Sequence, residues 1–71
     1  MSKRPNPAEI VIDKFGGIRP LARALGLSPV SILNWKKRRA VPPRRWREVH
    51  AVAGVNGVDL TMAQIMGPMV K

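Results

Sequence analysis

Seven of the twelve residues from 36 to 47 are basic: Lys36, Lys37, Arg38, Arg39, Arg44, Arg45 and Arg47. Guanidinium and ammonium groups at this density suit the neutralisation of phosphate oxygens along a polyanion. Just ahead of them lies a group of a different kind, Ser28, Val30, Ser31, Leu33, Asn34 and Lys37. An Asn amide can both donate to N7 and accept from N6 of adenine, a serine hydroxyl can reach a base edge or a phosphate, and a Val or Leu side chain can touch a thymine methyl. Lys37 can reach a guanine or a phosphate.

The rest of the inventory excludes other chemistries. The 71-residue chain has no cysteine, a single histidine, His50, and four carboxylates, Glu9, Asp13, Glu48 and Asp59. No nucleophile–base pair and no set of metal ligands can be assembled from these, so neither an enzyme nor a metal or cofactor site is expected. The net charge of +9, from 13 Lys+Arg against 4 Asp+Glu, calls for an anionic partner. No apolar run approaches the roughly 18–20 residues of a membrane span. The N-terminus, Met-Ser-Lys-Arg-Pro-Asn-Pro, lacks the apolar stretch of a secretion signal.

The basic and reader residues must be held by helices. The punctuation divides the chain into five short ones, and no segment alternates like a strand. Asn6 and Pro7 open a helix over 7–15, with Glu9 placed to complete a capping box and Ile10, Val11 and Phe15 facing inward. A second helix over 18–25 puts Leu21, Ala22 and Leu25 inside and Arg19 and Arg23 outside. Gly26 ends it. Ser28 and Pro29 open a third over 29–37, with Ile32 and Trp35 inward and Val30, Leu33, Asn34 and Lys37 outward. A basic loop over 38–42 leads to a fourth helix opened by Pro42 and Pro43 and running to about residue 53, whose apolar stripe is Trp46, Val49, His50 and Ala53, followed by a loop bracketed by Gly54 and Gly57. Thr61 and Gln64 form a capping box for a fifth helix, which Leu60 and Ile65 can staple and Gly67-Pro68 stops. Residues 1–5 read as a flexible basic arm, in which Lys3 and Arg4 are the side chains able to reach a polyanion. Residues 6–66 read as the folded domain, and residues 67–71 as a tail.

The pair of helices over 18–37 satisfies the requirements of a helix-turn-helix. A small residue, Ala22, stands where the helices cross. Gly26, four positions on, tolerates the left-handed turn. Leu21, Leu27, Ile32 and Trp35 are apolar where the motif is buried. In that motif the second helix enters the major groove of DNA. Ser28, Val30, Ser31, Leu33, Asn34 and Lys37 are then the candidates for base contacts, and Arg19, Arg23, Lys36, Arg38, Arg39 and Arg44 for phosphate contacts. Trp35, Trp46 and Phe15 lie on apolar stripes and are assigned to the core rather than to base stacking, and His50 to packing.

Residues 13–27, Asp-Lys-Phe-Gly-Gly-Ile-Arg-Pro-Leu-Ala-Arg-Ala-Leu-Gly-Leu, followed by Trp35-Lys-Lys-Arg38 and Val41-Pro-Pro43, resemble the Cro/repressor-type regulators of phages and bacteria, including small Cro proteins and the YdaS-like antitoxin group. The resemblance spans roughly residues 8–66. It implies an all-α, five-helix, lambda-repressor-like helix-turn-helix domain. It also implies a Cro-like transcriptional repressor that binds a pseudo-palindromic operator on double-stranded DNA as a homodimer, in the cytoplasm of a bacterial host cell, at its nucleoid. Pro29 and Leu33 depart from the pattern, standing where polar base-reading side chains are common. Affinity is therefore expected to come largely from the arginines, and specificity from a few contacts, methyl packing and DNA shape.

Two further classes compete. An antitoxin-type interaction protein would repress its own operon and bind a toxin partner, for which residues 55–71 are the available surface. A membrane-active amphipathic peptide fits the charge, but the 6 Gly and 7 Pro at cap positions do not suit it. No membrane and no small-molecule substrate are expected as partners. The surface expected to join two copies is the fourth helix with residues 55–70, including Met62, Met66 and Met69, as the apolar stretches left once the core is formed.

Overall fold

The computed structural model describes residues 6–67 and is all-helical. It contains α1 (Pro7–Phe15), α2 (Ile18–Leu25), α3 (Pro29–Arg38), a single 3-10 turn (Pro43–Arg45), α4 (Trp46–Val55) and α5 (Met62–Met66), with no strand among the described residues. Lys3, Arg4, Met69 and Val70 lie outside the described residues, as does the tail beyond Gly67. Among the described residues, no helix is long and apolar enough to cross a membrane.

Local chemistry sets most of the helix ends. Asn6 Oδ1 accepts from the Glu9 backbone N–H at 2.9 Å, with Pro7 occupying the first helical position of α1. Gly26 ends α2 at φ +70, a left-handed conformation that glycine adopts without steric cost. Leu27 N–H then closes back on the Ala22 carbonyl at 2.9 Å. Thr61 Oγ1 accepts from Gln64 N–H at 3.1 Å while Gln64 Oε1 accepts from Thr61 N–H at 3.0 Å, a complete capping box for α5.

The core is built from every helix: Ala8, Val11 and Ile12 of α1, Leu21, Ala22 and Leu25 of α2, Ile32 and Trp35 of α3, Val49 and Ala53 of α4, and Ile65 of α5. Val41 and Leu60 plug it from the connecting segments. Several expectations are corrected. On α1, Ala8 and Ile12 are buried beyond the expected set, while Ile10 and Phe15 are half-buried and pack against the core, because α1 is covered by α2 and α3 as well as by α5. A helix covered on two sides buries more than the single stripe its period suggests. His50, assigned to packing on α4, is exposed, while Val52 is half-buried and packs against the core. Gly54 lies within α4 rather than after it, and a 3-10 turn precedes that helix. Within the segment expected to join two copies, Leu60 and Ile65 are buried in the core and Met62 packs against it. Val55 is the large apolar side chain of that segment exposed among the described residues.

Gly67 closes the domain end on end. It sits at φ +79, and a β-carbon there would run into the ring of Pro7 at the start of α1. The α3 terminus is less comfortable. Arg39 caps it at φ +62, the one non-glycine residue with positive φ among those described. That conformation costs a side-chain-bearing residue about 1–2 kcal/mol, against an extra entropic cost of roughly 0.5–1 kcal/mol for glycine. Arg39→Gly is therefore expected to stabilise the fold by about 0.5–1 kcal/mol, read as a raised thermal midpoint. A lowered midpoint would show that the Arg39 side chain contributes more to folding than its backbone costs.

Candidate nucleic-acid interface

α2 and α3 pack directly on each other, joined by residues 26–28. Ala22 is buried to 2% exposure, and its small size lets the neighbouring helix lie close. Because Ile32 and Trp35 hold α3 by its inner side, its other side is fixed by helical geometry. Val30, Leu33, Asn34 and Lys37 follow one another at steps of 3, 1 and 3 residues along that side, and all are exposed. Ser28 is also exposed. Its Oγ caps α3, accepting from Ser31 N–H at 3.4 Å and lying 3.4 Å from Ser31 Oγ, while Ser31 is half-buried. Both hydroxyls thus serve the helix start, with Ser28 also open to a ligand.

The basic residues are spread over α2, the end of α3 and the 3-10 turn. Lys36, Lys37 and Arg38 occupy the last turn of α3, where cations also complement the helix dipole. Arg39 follows at the cap, and Arg44 is exposed on the 3-10 turn. Arg19 and Arg23 are exposed on α2. The loop between α3 and the turn is tied down from within. Val41 is buried, and Trp46 Nε1–H donates to the Val41 carbonyl at 2.8 Å. This anchoring brings residues distant in sequence to one cleft of about 190 Å³, lined by Ser31, Asn34, Arg38, Arg44 and Arg45. The cleft is smaller than a typical small-molecule pocket and polar, and its donors match a phosphate group. Lys36, Lys37, Arg39, Arg19 and Arg23 do not line it. A larger cleft of about 410 Å³ between α1 and α5, lined by Ile10, Asp13, Lys14 and Gln64, holds none of the candidate residues.

Arg45, one of the basic run suited to phosphate neutralisation, lines the cleft but is already engaged. Its guanidinium Nη1 donates to Glu48 Oε1 at 2.8 Å, the one ion pair among the described residues. The spacing of three on a helical segment was the signal available for that pair. Lys36, Lys37, Arg38, Arg39, Arg44, Arg19 and Arg23 have no carboxylate partner among the described residues, so their charge is directed outward. Among the described residues there is also no group of His, Cys, Asp and Glu able to hold a metal ion.

Comparisons with protein-family models, with curated proteins and with solved structures find no match to this chain.

Proposed function

We propose that this chain is a sequence-specific DNA-binding transcriptional regulator, a Cro-like repressor with a lambda-repressor-type helix-turn-helix in α2 and α3. α3 enters the major groove. The observation that carries the reading is the solvent-facing strip of Val30, Leu33, Asn34 and Lys37, continued by cations that have no carboxylate partner among the described residues. A polyanion with a patterned floor is the ligand such a surface fits. Asn34 is the amide placed to pair with adenine. Ser28, Ser31 and Lys37 border it, while Arg19, Arg23, Lys36, Arg38, Arg39 and Arg44 hold phosphates and set the register. A domain this small covers few base pairs, so two copies on half-sites about one helical turn apart make up the operator complex. Occupancy of that operator blocks transcription.

Selection of bound sites from random duplex DNA tests the proposal. The wild-type chain is expected to enrich a two-fold-related sequence. Asn34→Ala is expected to lose preference at one base step per half-site while retaining most of its affinity, since one good bidentate contact gives about 1–3 kcal/mol of discrimination. Uniform weakening without loss of preference would assign Asn34 to the phosphate cleft instead. Absence of any enriched sequence sinks the proposal.

A further inference from the structure

Val30 and Leu33 are 63% and 41% exposed, and with Val55 they are the large apolar side chains left open to solvent among the described residues. Nothing among the described residues accounts for them. They take no part in the core. A β-branched valine in the first turn of α3 gains nothing from helix propensity either. Their neighbours narrow the choice of occupant. Lys37 stands one turn beyond Leu33, Asn34 one turn beyond Val30, and Lys36, Arg38 and Arg39 follow within the same helix end. A second copy of the chain would bring the same cations against this face and be repelled. The fitting partner is apolar at its centre and anionic at its rim. The floor of the DNA major groove answers that description at pyrimidines carrying a C5-methyl group, with phosphates on either side.

We infer that Val30 and Leu33 read C5-methyl groups of pyrimidines, so that the surface responds to 5-methylcytosine as it does to thymine. The inference rests on the DNA-binding reading and deepens it. A side chain that can neither donate nor accept a hydrogen bond cannot tell the O4 acceptor of thymine from the N4 amine of cytosine. What it senses is the methyl group both can carry. Thymine and 5-methylcytosine therefore act alike at such a position, and uracil and unmethylated cytosine act alike.

The test uses the full chain and a duplex obtained by selection. At each pyrimidine of the half-site, affinity is compared between T·A and U·A pairs, and separately between 5-methyl-C·G and C·G pairs, so that each comparison changes one methyl group. Removing the methyl is expected to weaken binding about fourfold in both comparisons at one or two positions. Leu33→Ala or Val30→Ala should bring the ratio at its own position close to one. Both variants are exposed replacements by a better helix former, so folding is retained. The inference is overturned if the selected DNA binds but removing a methyl changes nothing at any position. It is overturned equally if the ratios survive both substitutions, or if Leu33→Ala alters self-association and leaves the ratios alone. Failure to bind any duplex overturns the DNA-binding reading itself, and the two failures are distinguished by whether selected DNA is bound at all.

Discussion

Affinity of one protomer for a single half-site is expected to fall about 10³-fold between roughly 50 and 200 mM monovalent salt, as six phosphate contacts predict. The residues are Arg19, Arg23, Lys36, Arg38, Arg39 and Arg44, none of which has a carboxylate partner among the described residues. Each neutralised phosphate releases close to one condensed counterion, so six contacts give a slope of log affinity against log salt of about −5. Arg45 is set apart because Glu48 already holds its guanidinium. The paired substitutions Arg38→Gln and Arg44→Gln are expected to reduce the slope by about 2 and weaken all sequences alike. Arg45→Gln should change the slope by less than either single replacement, and Leu33→Ala should leave it untouched. Anisotropy titrations across a salt series measure all of these. A slope near zero for the wild-type chain would mean that its cations serve something other than a phosphate backbone, and a slope that Arg38 and Arg44 do not affect would move the contact elsewhere on the surface.

The parts of the fold legible in sequence are those decided within a few residues. Asn6, Gly26, Ser28 and the Thr61–Gln64 pair mark helix ends because a cap hydrogen bond or a left-handed turn is local chemistry. The exposed strip on α3 is legible for a related reason. Once Ile32 and Trp35 are taken as the inner side, a period of 3.6 leaves Val30, Leu33, Asn34 and Lys37 outside. What escapes is decided by distant segments. Ala8 and Ile12 are buried because α5 returns to cover α1 together with α2 and α3, pairings with no local signature. The stretch after α3 reads as a solvated basic loop, yet Val41 is buried in it and Trp46 donates to its carbonyl. That anchor turns a run of charge into a cleft, setting Arg44 and Arg45 beside Asn34 and Arg38. His50 shows the opposite error. It extends the apolar pattern of α4 by spacing alone, while the side of the helix that meets the core carries Val49, Val52 and Ala53.

Trp35→Ala is expected to leave the domain largely unfolded at room temperature. Trp35 is 5% exposed and lies in the core cluster beside Ile32. Removing a buried tryptophan typically costs about 3–5 kcal/mol, through lost transfer energy and the cavity left behind. A single core in a domain of this size supplies roughly 3–5 kcal/mol in total, and no cysteine is present to cross-link it. Loss of far-UV helical signal and of a cooperative melt is the expected result. Ile32→Val, at a site with no solvent exposure, should remain folded with a midpoint lowered by several degrees, because it removes a single methylene worth about 1 kcal/mol. Leu33→Ala, one position further along the same helix but 41% exposed, should stay within about 0.5 kcal/mol of wild type. The contrast between neighbours separates core from reading face on one helix. It also separates two ways of losing DNA binding. A ligand that binds only the folded state at 100 times its dissociation constant returns about 2.7 kcal/mol, enough to recover part of the helical signal of Trp35→Ala. That recovery should fade as salt rises, in step with the counterion slope, because the folding energy it supplies comes from the same phosphate contacts. A Trp35→Ala chain that melts cooperatively near the wild-type midpoint would show that α3 is not held by this side chain, and the orientation of its outer strip would then need another anchor.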